Sequence, residues 1–428
     1  MMTVRTLTLI ATITIFTTCL LAVAAANSVF PYGHDLCSSD DAGSVNGGNF
    51  ADRVHEEIRD TLCKEKTEDK DAAIMDVVLY FDQVADLDDV FPLASSRASK
   101  RLQVKNYLKA HADTVQSCVM DELKRSSSST AVLHFKSFWI VNAIEIQSIS
   151  RIGLQTLLKA CPPSDTRAPY VVDKNYQRKR PVSREDGSDY NFYNNFKKES
   201  SSSLAWNIQK INADQVWAKG INGSGITIAT LDGGVNYQHV ALKYNYRGAT
   251  VNGKNIDYDH DYNWNDWAYN SPYPSDNEGH GTNVAGVASG TQSSGIGVAV
   301  GSKWMAGKVF NYAGYSNDTW IIEAAQWVLC PTPVNDFSSD KERCDLGADI
   351  VSCSWGDMTA HSKAAEQYIN SWIKAGVLPV YSAGNSGPAC STVVAPATIS
   401  GGICNVTMTP SSGVSGLTTF KFSKGGSV

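Results

Sequence analysis

Three polar residues stand where a chain can do chemistry. Asp232 follows the apolar run Gly225–Leu231 (GITIATL) directly and precedes Gly233 and Gly234. A carboxylate at the end of a buried strand must find a donor, and a histidine is a suitable partner. His280 lies between Gly279 and Gly281 in Asp276–Gly290 (DNEGHGTNVAGVASG). The flanking glycines leave the imidazole uncrowded and let other backbone come close. Asn385 follows the run VLPVYSAG and offers an amide donor to developing negative charge. Acid, imidazole and amide donor are three parts of an acyl-transfer site. Each alone has a plainer reading, since a lone histidine beside a flexible turn usually belongs to the core or the surface. Together, at matched strand ends, they outweigh it.

Those three positions lie far apart in the chain, so a sheet has to gather them. From Trp206 onward the pattern alternates between strands and helices. Strands are expected at Gly225–Leu231, Trp304–Phe310, Ala348–Ser354 and Val377–Ser382. Helices are expected at Thr319–Leu329, with Ile321, Ala324, Ala325 and Val328 on one face, and at His361–Ala375, with Gly376 as its stop. Strands spaced by helices of this length predict βαβ units and a mostly parallel sheet, whose site lies outside the carboxyl ends of the strands. Ahead of this region a helix is expected near Arg53–Lys66, and a compact unit over about residues 73–173. In that unit Val77–Phe81 reads as a strand and Leu102–Val119 as a helix. Ala131–Ile146 reads as one or two strands, Leu154–Cys161 as a helix and Tyr170–Val172 as a strand. The order β-α-β-β-α-β predicts a small split βαβ domain. His111 and His134 lie in it, as ordinary packing or surface residues. Residues 174–204 read as an exposed linker, with the basic cluster Arg178–Arg180 and the serine run Ser200–Ser203. Pro181 directly after Arg180 argues against processing at that cluster.

Composition narrows the setting. The 428 residues carry a net charge of −6 with both signs mixed, so no basic face suggests nucleic acid. Residues 1–26 read as a signal peptide: Arg5, an apolar run from Leu7 to Ala26, and the small-residue end Val23–Ala26. The protein is therefore expected to be secreted, with no membrane association after the signal is removed. Of ten cysteines, Cys19 leaves with the signal. In an oxidising compartment the rest favour bridges. Cys330–Cys344 and Cys390–Cys404 are the expected pairs, with Cys353 free in a strand and Cys37, Cys63, Cys118 and Cys161 pairing among themselves. Asn222, Asn317 and Asn405 head N-x-S/T sequons.

The segments LDGGV at Leu231–Val235, GHGT at Gly279–Thr282 and SAGNSGP at Ser382–Pro388 resemble the Asp, His and oxyanion-hole motifs of the subtilisin (subtilase) family of serine endopeptidases. The order Asp before His is that family's order. The wider text resembles its bacillopeptidase F-like branch: WNIQKINADQVW at Trp206–Trp217, HVALKYNYRG at His239–Gly248, WMAGKVF at Trp304–Phe310, WIIEAAQWVL at Trp320–Leu329 and SWG at Ser354–Gly356. The resemblance runs from about Trp206 to the end. It implies an α/β, subtilisin-like three-layer fold over 205–428 with a mostly parallel sheet, acting on polypeptide substrates. Asp232 then orients and stabilises the imidazole. His280 is general base and then general acid, and Asn385 donates to the oxyanion. Ser354, Trp355 and Gly356 pair with substrate backbone and line the pocket before the scissile bond, and Trp355 with Tyr315 suggests an apolar cleft. The segment FKSFWIVNAIEI at Phe135–Ile146 resembles a propeptide strand of the same family. That makes residues 27–173 a small α+β, ferredoxin-like propeptide, a folding aid and intramolecular inhibitor, with an unrelated accessory domain as the alternative.

The chain departs from the family in three places. Gly233 stands where a Thr or Ser is usual, and Asn283 where a second His is usual. No G-T-S-x-A-x-P stretch occurs among the 428 residues. The chain as written is therefore expected not to turn over peptide bonds efficiently, truncation being the expected cause. The alternative is a non-catalytic, degenerate protease acting as a binding or inhibitory protein. Asp257–Asp266 (DYDHDYNWND) is dense in oxygen ligands and is a possible Ca²⁺ site, but it lacks the Gly and Glu of an EF-hand loop, and a solvated acidic loop is the simpler reading. No H-E-x-x-H involves His239 or His260, which disfavours a zinc hydrolase.

Overall fold

The computed structural model describes residues 53–63, 74–88, 96–126, 134–163, 167–179, 204–338, 340–356, 363–385, 392–399 and 403–405. The expected signal sequence, Cys37, Cys390, most of the expected linker and the closing FKFSKGGSV lie outside them, as do the side chains of Cys63 and Cys404, so the expected Cys390–Cys404 pair is outside the described residues.

The amino-terminal body runs α1 (Glu56–Cys63), β1 (Ile74–Phe81), α2 (Arg97–Val115), α3 (Ser117–Ser126), β2 (His134–Phe138), β3 (Ala143–Ser150), α4 (Arg151–Ala160), β4 (Tyr170–Lys174) and β5 (Gln177–Lys179). Its antiparallel sheet has the order β2-β3-β1-β4, the split βαβ arrangement. Alternation along β1 sends Val77 and Leu79 into a core closed by Leu154 and Leu157 of α4, while Val78 faces the other way. Ser96 caps α2 by accepting the Ser99 N–H at 3.1 Å. The helix expected at 102–119 begins earlier and breaks at Gln116, whose buried amide donates to Asn142 Oδ1 at 2.9 Å and accepts from Ser137. A Cys118–Cys161 disulfide then ties α3 to the end of α4.

The second body begins with two short helices, α5 (Trp206–Lys210) and α6 (Ala213–Trp217). It continues through β6 (Thr227–Asp232), the hairpin β7 (Ala249–Asn252) and β8 (Asn255–Tyr258), β9 (Trp264–Asp266), α7 (His280–Ser289), β10 (Lys303–Lys308), β11 (Tyr315–Asn317) and α8 (Asp318–Leu329). β12 (Ile350–Cys353), α9 (Lys363–Lys374), β13 (Leu378–Ser382) and β14 (Ile403–Asn405) complete it. Its main sheet has the order β14-β13-β12-β6-β10-β9, and every pairing in it is parallel. Such a sheet is covered on both faces, so its central strands are near-continuously apolar. In β6, Ile228 to Asp232 are all buried. Trp304 and Ala306 of β10 join a core with Ala285 of α7, whereas Met305 joins the core containing Ala325 of α8 and Ile369 of α9. Helix, sheet and helix form three layers, the α/β arrangement expected.

Gly376 has φ +81° two residues after α9 ends, as a helix stop requires. Strands β9, β11 and β14 have three residues each, too short for periodicity to reveal. The Cys330–Cys344 bridge is formed and Cys353 is free and buried. Among the described residues no helix is long and apolar enough to cross a membrane.

Candidate active site

Strand order fixes where the site lies. After β6 the chain lays down the edge strand β9 and then β10 between β9 and β6, and it returns to place β12, β13 and β14 on the other side of β6. Sites of such sheets lie outside the carboxyl ends of the strands, where the direction of winding changes, and the last residue of β6 is Asp232. Asp232 is fully buried. Its Oδ1 accepts the Gly233 N–H at 2.7 Å.

His280 opens α7, directly after Gly279 at φ +86°. Its Nδ1 lies 2.8 Å from Asp232 Oδ1 and 2.9 Å from Oδ2, and its side chain is 26% exposed. A carboxylate accepts only, so Nδ1 carries the proton and Nε2 is left as a base. Close packing of α7 onto the end of β6 makes this possible. A Cβ on Gly281 would meet Gly234 O at 2.1 Å and Asp232 Cβ at 3.0 Å. Gly234, at φ +101°, passes so near Ser275 that a Cβ would lie 1.9 Å from its carbonyl oxygen. These glycines are needed for approach as much as for turning.

The turn leading into His280 is organised by Asp276, whose role the sequence did not reveal. Its Oδ1 accepts the N–H groups of Glu278 and Gly279, and its Oδ2 accepts the N–H and the hydroxyl of Thr282, all between 2.7 and 3.2 Å. Thr282 Oγ1 in turn accepts the Asn236 N–H at 2.9 Å, joining the turn to the segment after Asp232. Lys308 was also overlooked. It is paired in register with Asp232, is 1% exposed and donates to Asn277 Oδ1 at 2.8 Å beneath the stacked rings of Tyr269 and Tyr312. Burial pushes its ammonium pKa down, and Asp266, Asp276 and Glu278 oppose that shift. The signal for both residues was their position, at a strand end and four residues before His280, rather than any motif.

Asn385 sits three residues past the end of β13, exposed on the carboxyl side of the sheet. Ser354, Trp355 and Gly356 follow the end of β12 on the same side. The Trp355 indole, however, is turned inward. It donates Nε1–H to Leu231 O at 2.9 Å and packs edge-on against Phe310 and Tyr381. The expectation that this ring forms the wall of an apolar cleft is corrected by its inward packing. A Cβ on Gly356 would lie 2.3 Å from Val394 Cγ2 and 2.7 Å from Ala395 O, so the strand after β12 is overlaid by residues 394–395. Cys353, beside Ser354, is no substitute nucleophile, because burial pushes its thiol pKa up.

The oxygen-rich stretch 257–266 does not fit a cation. Asp259 and Asp261 accept the Asp261 and Val334 N–H groups, and Asp266 accepts those of Ala268, Tyr269 and Ser271. These carboxylates brace loops, and among the described residues no three His, Cys, Asp or Glu converge as a metal site.

A sequence profile of the subtilase family matches residues 223–423, which include Asp232, His280 and Asn385. Over that stretch the chain is similar to the subtilases. It is 29% identical over 300 residues to bacillopeptidase F of Bacillus subtilis (strain 168), covering 68% of this chain and 20% of that protein. It is 31% identical over 183 residues to the major intracellular serine protease of the same organism, covering 42% of this chain and 49% of that protein. The crystal structure of fervidolysin from Fervidobacterium pennivorans, a keratinolytic enzyme related to subtilisin, aligns with a TM-score of 0.44 at 16% identity, over 79% of this chain and 44% of that one. The chain thus spans about a fifth to a half of the length of these relatives.

Proposed function

We propose that the protein is a subtilisin-type serine endopeptidase. One observation carries this: His280 Nδ1 sits across both oxygens of the fully buried Asp232, at 2.8 and 2.9 Å. The buried carboxylate holds the ring in one orientation and one tautomer, and it stabilises the imidazolium formed when Nε2 takes a proton from a serine hydroxyl. The same Nε2 then returns that proton to the leaving amine. Asn385 donates its side-chain N–H to the oxyanion, and the backbone of Ser354–Gly356 aligns the peptide being cut. Gly233 and Asn283 leave the Asp–His geometry intact, so neither departure favours the non-catalytic reading.

The amino-terminal body is read as a propeptide. Support comes from its pairing: β5 adds antiparallel to β11, Ser316 opposite Arg178, in the segment that follows β10, as an extended peptide would. Secretion is supported by the leader-like residues 1–26 and by two disulfides. Asn222, half-buried with its Oδ1 bonded to Ser224, and Asn317, next to α8, are the sequons within the described residues whose side chains are defined.

The test is fluorophosphonate labelling of the full-length gene product, with hydrolysis of a casein substrate measured in parallel. Labelling of one serine, lost in His280→Ala, is the expected result. A full-length product that is folded, inert to the probe and inert to casein overturns the assignment and leaves a binding or inhibitory protein.

A further inference from the structure

Three charged side chains stand in one row across the sheet. Lys308 of β10 is in register with Asp232 of β6 on one side and with Asp266 of β9 on the other. Residues in register on neighbouring strands put their side chains on the same face. That face is the one under α7, because Ala306 and Trp264, two residues earlier on β10 and β9, share a core with Ala285 of α7. All three members of the row are buried, Asp232 at 0% and Lys308 and Asp266 at 1% exposure. The two carboxylates have separate tasks. Asp232 faces His280 Nδ1, and Asp266 accepts the N–H groups of Ala268, Tyr269 and Ser271.

The ammonium at the centre reaches the turn that carries the imidazole. Lys308 Nζ donates to Asn277 Oδ1 at 2.8 Å, three residues ahead of His280. Tyr269 and Tyr312 cover it, with ring centroids 5.4 and 5.1 Å from Nζ. The two rings stack at 4.3 Å, and the Tyr312 N–H donates to the Tyr269 hydroxyl at 2.8 Å. Aromatic faces suit a cation, and a buried charge is tolerated only where partners compensate it. Asp266, Asp276 and Glu278 favour the charged form, but burial outweighs them and lowers the pKa from 10.5.

We propose that Lys308 is a positioning residue for His280: its bond to Asn277 sets the turn, and its charge steadies the buried carboxylates that frame the imidazole. At 1% exposure it is out of a substrate's reach, so it acts only through the turn and the row. The role rests on the peptidase reading above. Bond and charge are separable. A neutral amine still donates to Asn277 but no longer compensates Asp232, Asp266, Asp276 and Glu278. Arginine keeps its charge at every accessible pH. Methionine keeps neither bond nor charge.

The experiment uses the full-length gene product, with steady-state kinetics on a peptide anilide from pH 6 to pH 11 and circular dichroism at each pH to confirm folding. Lys308→Met is expected to lower kcat about 10²-fold, the effect of a displaced base, with KM changed by less than about twofold. The parent is fully active while the ammonium is charged and is expected to lose kcat reversibly as pH rises through the lowered lysine value, below 10.5. Lys308→Arg is expected to recover most of the kcat lost in Lys308→Met and to lack that alkaline limb. Asn277→Asp, at an exposed position, sets a negative charge against the ammonium and is expected to move the limb to higher pH. A merely structural lysine predicts no such movement. Parental kcat in Lys308→Met, a loss confined to KM, or an alkaline limb that stays in place in both Lys308→Arg and Asn277→Asp each overturns the proposal. A folded parent inert to fluorophosphonate overturns the peptidase reading and this role with it. A labelled parent beside an unimpaired Lys308→Met overturns this role alone.

Discussion

His280 and Asp232 form a short, part-buried contact between groups 48 residues apart in the chain, and each has one job that a conservative substitution isolates. Asp232→Asn keeps the shape but lets the ring adopt the other tautomer; kcat of the full-length enzyme is expected to fall by about 10⁴ with KM nearly unchanged. Asn385→Ala is expected to lower kcat by about 10²–10³, again with little effect on KM, and steady-state kinetics on a peptide anilide checks both. Neither substitution is expected to shift the melting temperature by more than a few degrees, which separates chemistry from folding. Gly281→Ala is the opposite kind of change. Its methyl has no space beside Gly234 O, so α7 must lift from β6. Stability is expected to drop by about 1–3 kcal/mol in urea unfolding, with kcat falling because Nδ1 is carried away from the carboxylate.

At the scale of elements, loops here are braced by charged groups turned inward. Arg247 bonds to Asn263 Oδ1, Leu346 O and Tyr262 O, and burial brings its pKa down to about 10. His260 lies after β8 among Tyr237, Tyr246 and Tyr273, with Nδ1 3.0 Å from the Tyr246 hydroxyl. Burial lowers its pKa below the ordinary 6.5, and Asp259 and Asp261 only partly oppose this. His239 is shifted the same way by burial. Unfolded chains therefore take up these protons at a higher pH than the native protein does. Stability is full above about pH 6.5 and declines as pH falls towards the lowered native values. Urea midpoints measured from pH 8 to pH 5 are expected to fall, and His260→Gln is expected to flatten part of that slope. A pH-independent midpoint in the parent protein counts against the burial argument. The regular elements were legible because β6 is a run of buried apolar residues and α8 repeats at helical spacing. The three-residue strands β9, β11 and β14 were not, because pairing with neighbours rather than local pattern makes them strands.

Across the whole molecule, one apolar cluster draws residues from both bodies, Val104 and Trp139 on one side and Trp327 and Trp372 on the other. The protein is therefore expected to unfold in a single calorimetric transition, with van't Hoff and calorimetric enthalpies in agreement, and two separated transitions would contradict the shared core. The Cys330–Cys344 bridge closes a segment of sequence separation 14. Loss of that restraint in Cys344→Ser is expected to cost about 3 kcal/mol, read from denaturant unfolding. Of the candidate site, Asp232 and His280 were legible in the sequence by a strand end and by glycine neighbours, and the structure brings these two together. Asp276 and Lys308 were not legible, because a carboxylate that gathers three N–H groups and a lysine beneath two tyrosines are ordinary residues until a fold surrounds them.

The sequence by itself determined the alternation of strand and helix and marked Asp232 and His280 as partners, because apolar period and glycine placement are local properties; the short spacing of Cys330 and Cys344 made their bridge an expectation, which the structure shows. Tertiary structure alone decided that Trp355 turns inward, that the carboxylates of 257–266 serve backbone N–H groups, and that α2 packs into a core shared with the second body. Those outcomes depend on which surfaces meet across hundreds of residues, and burial of a side chain is a property of its neighbours.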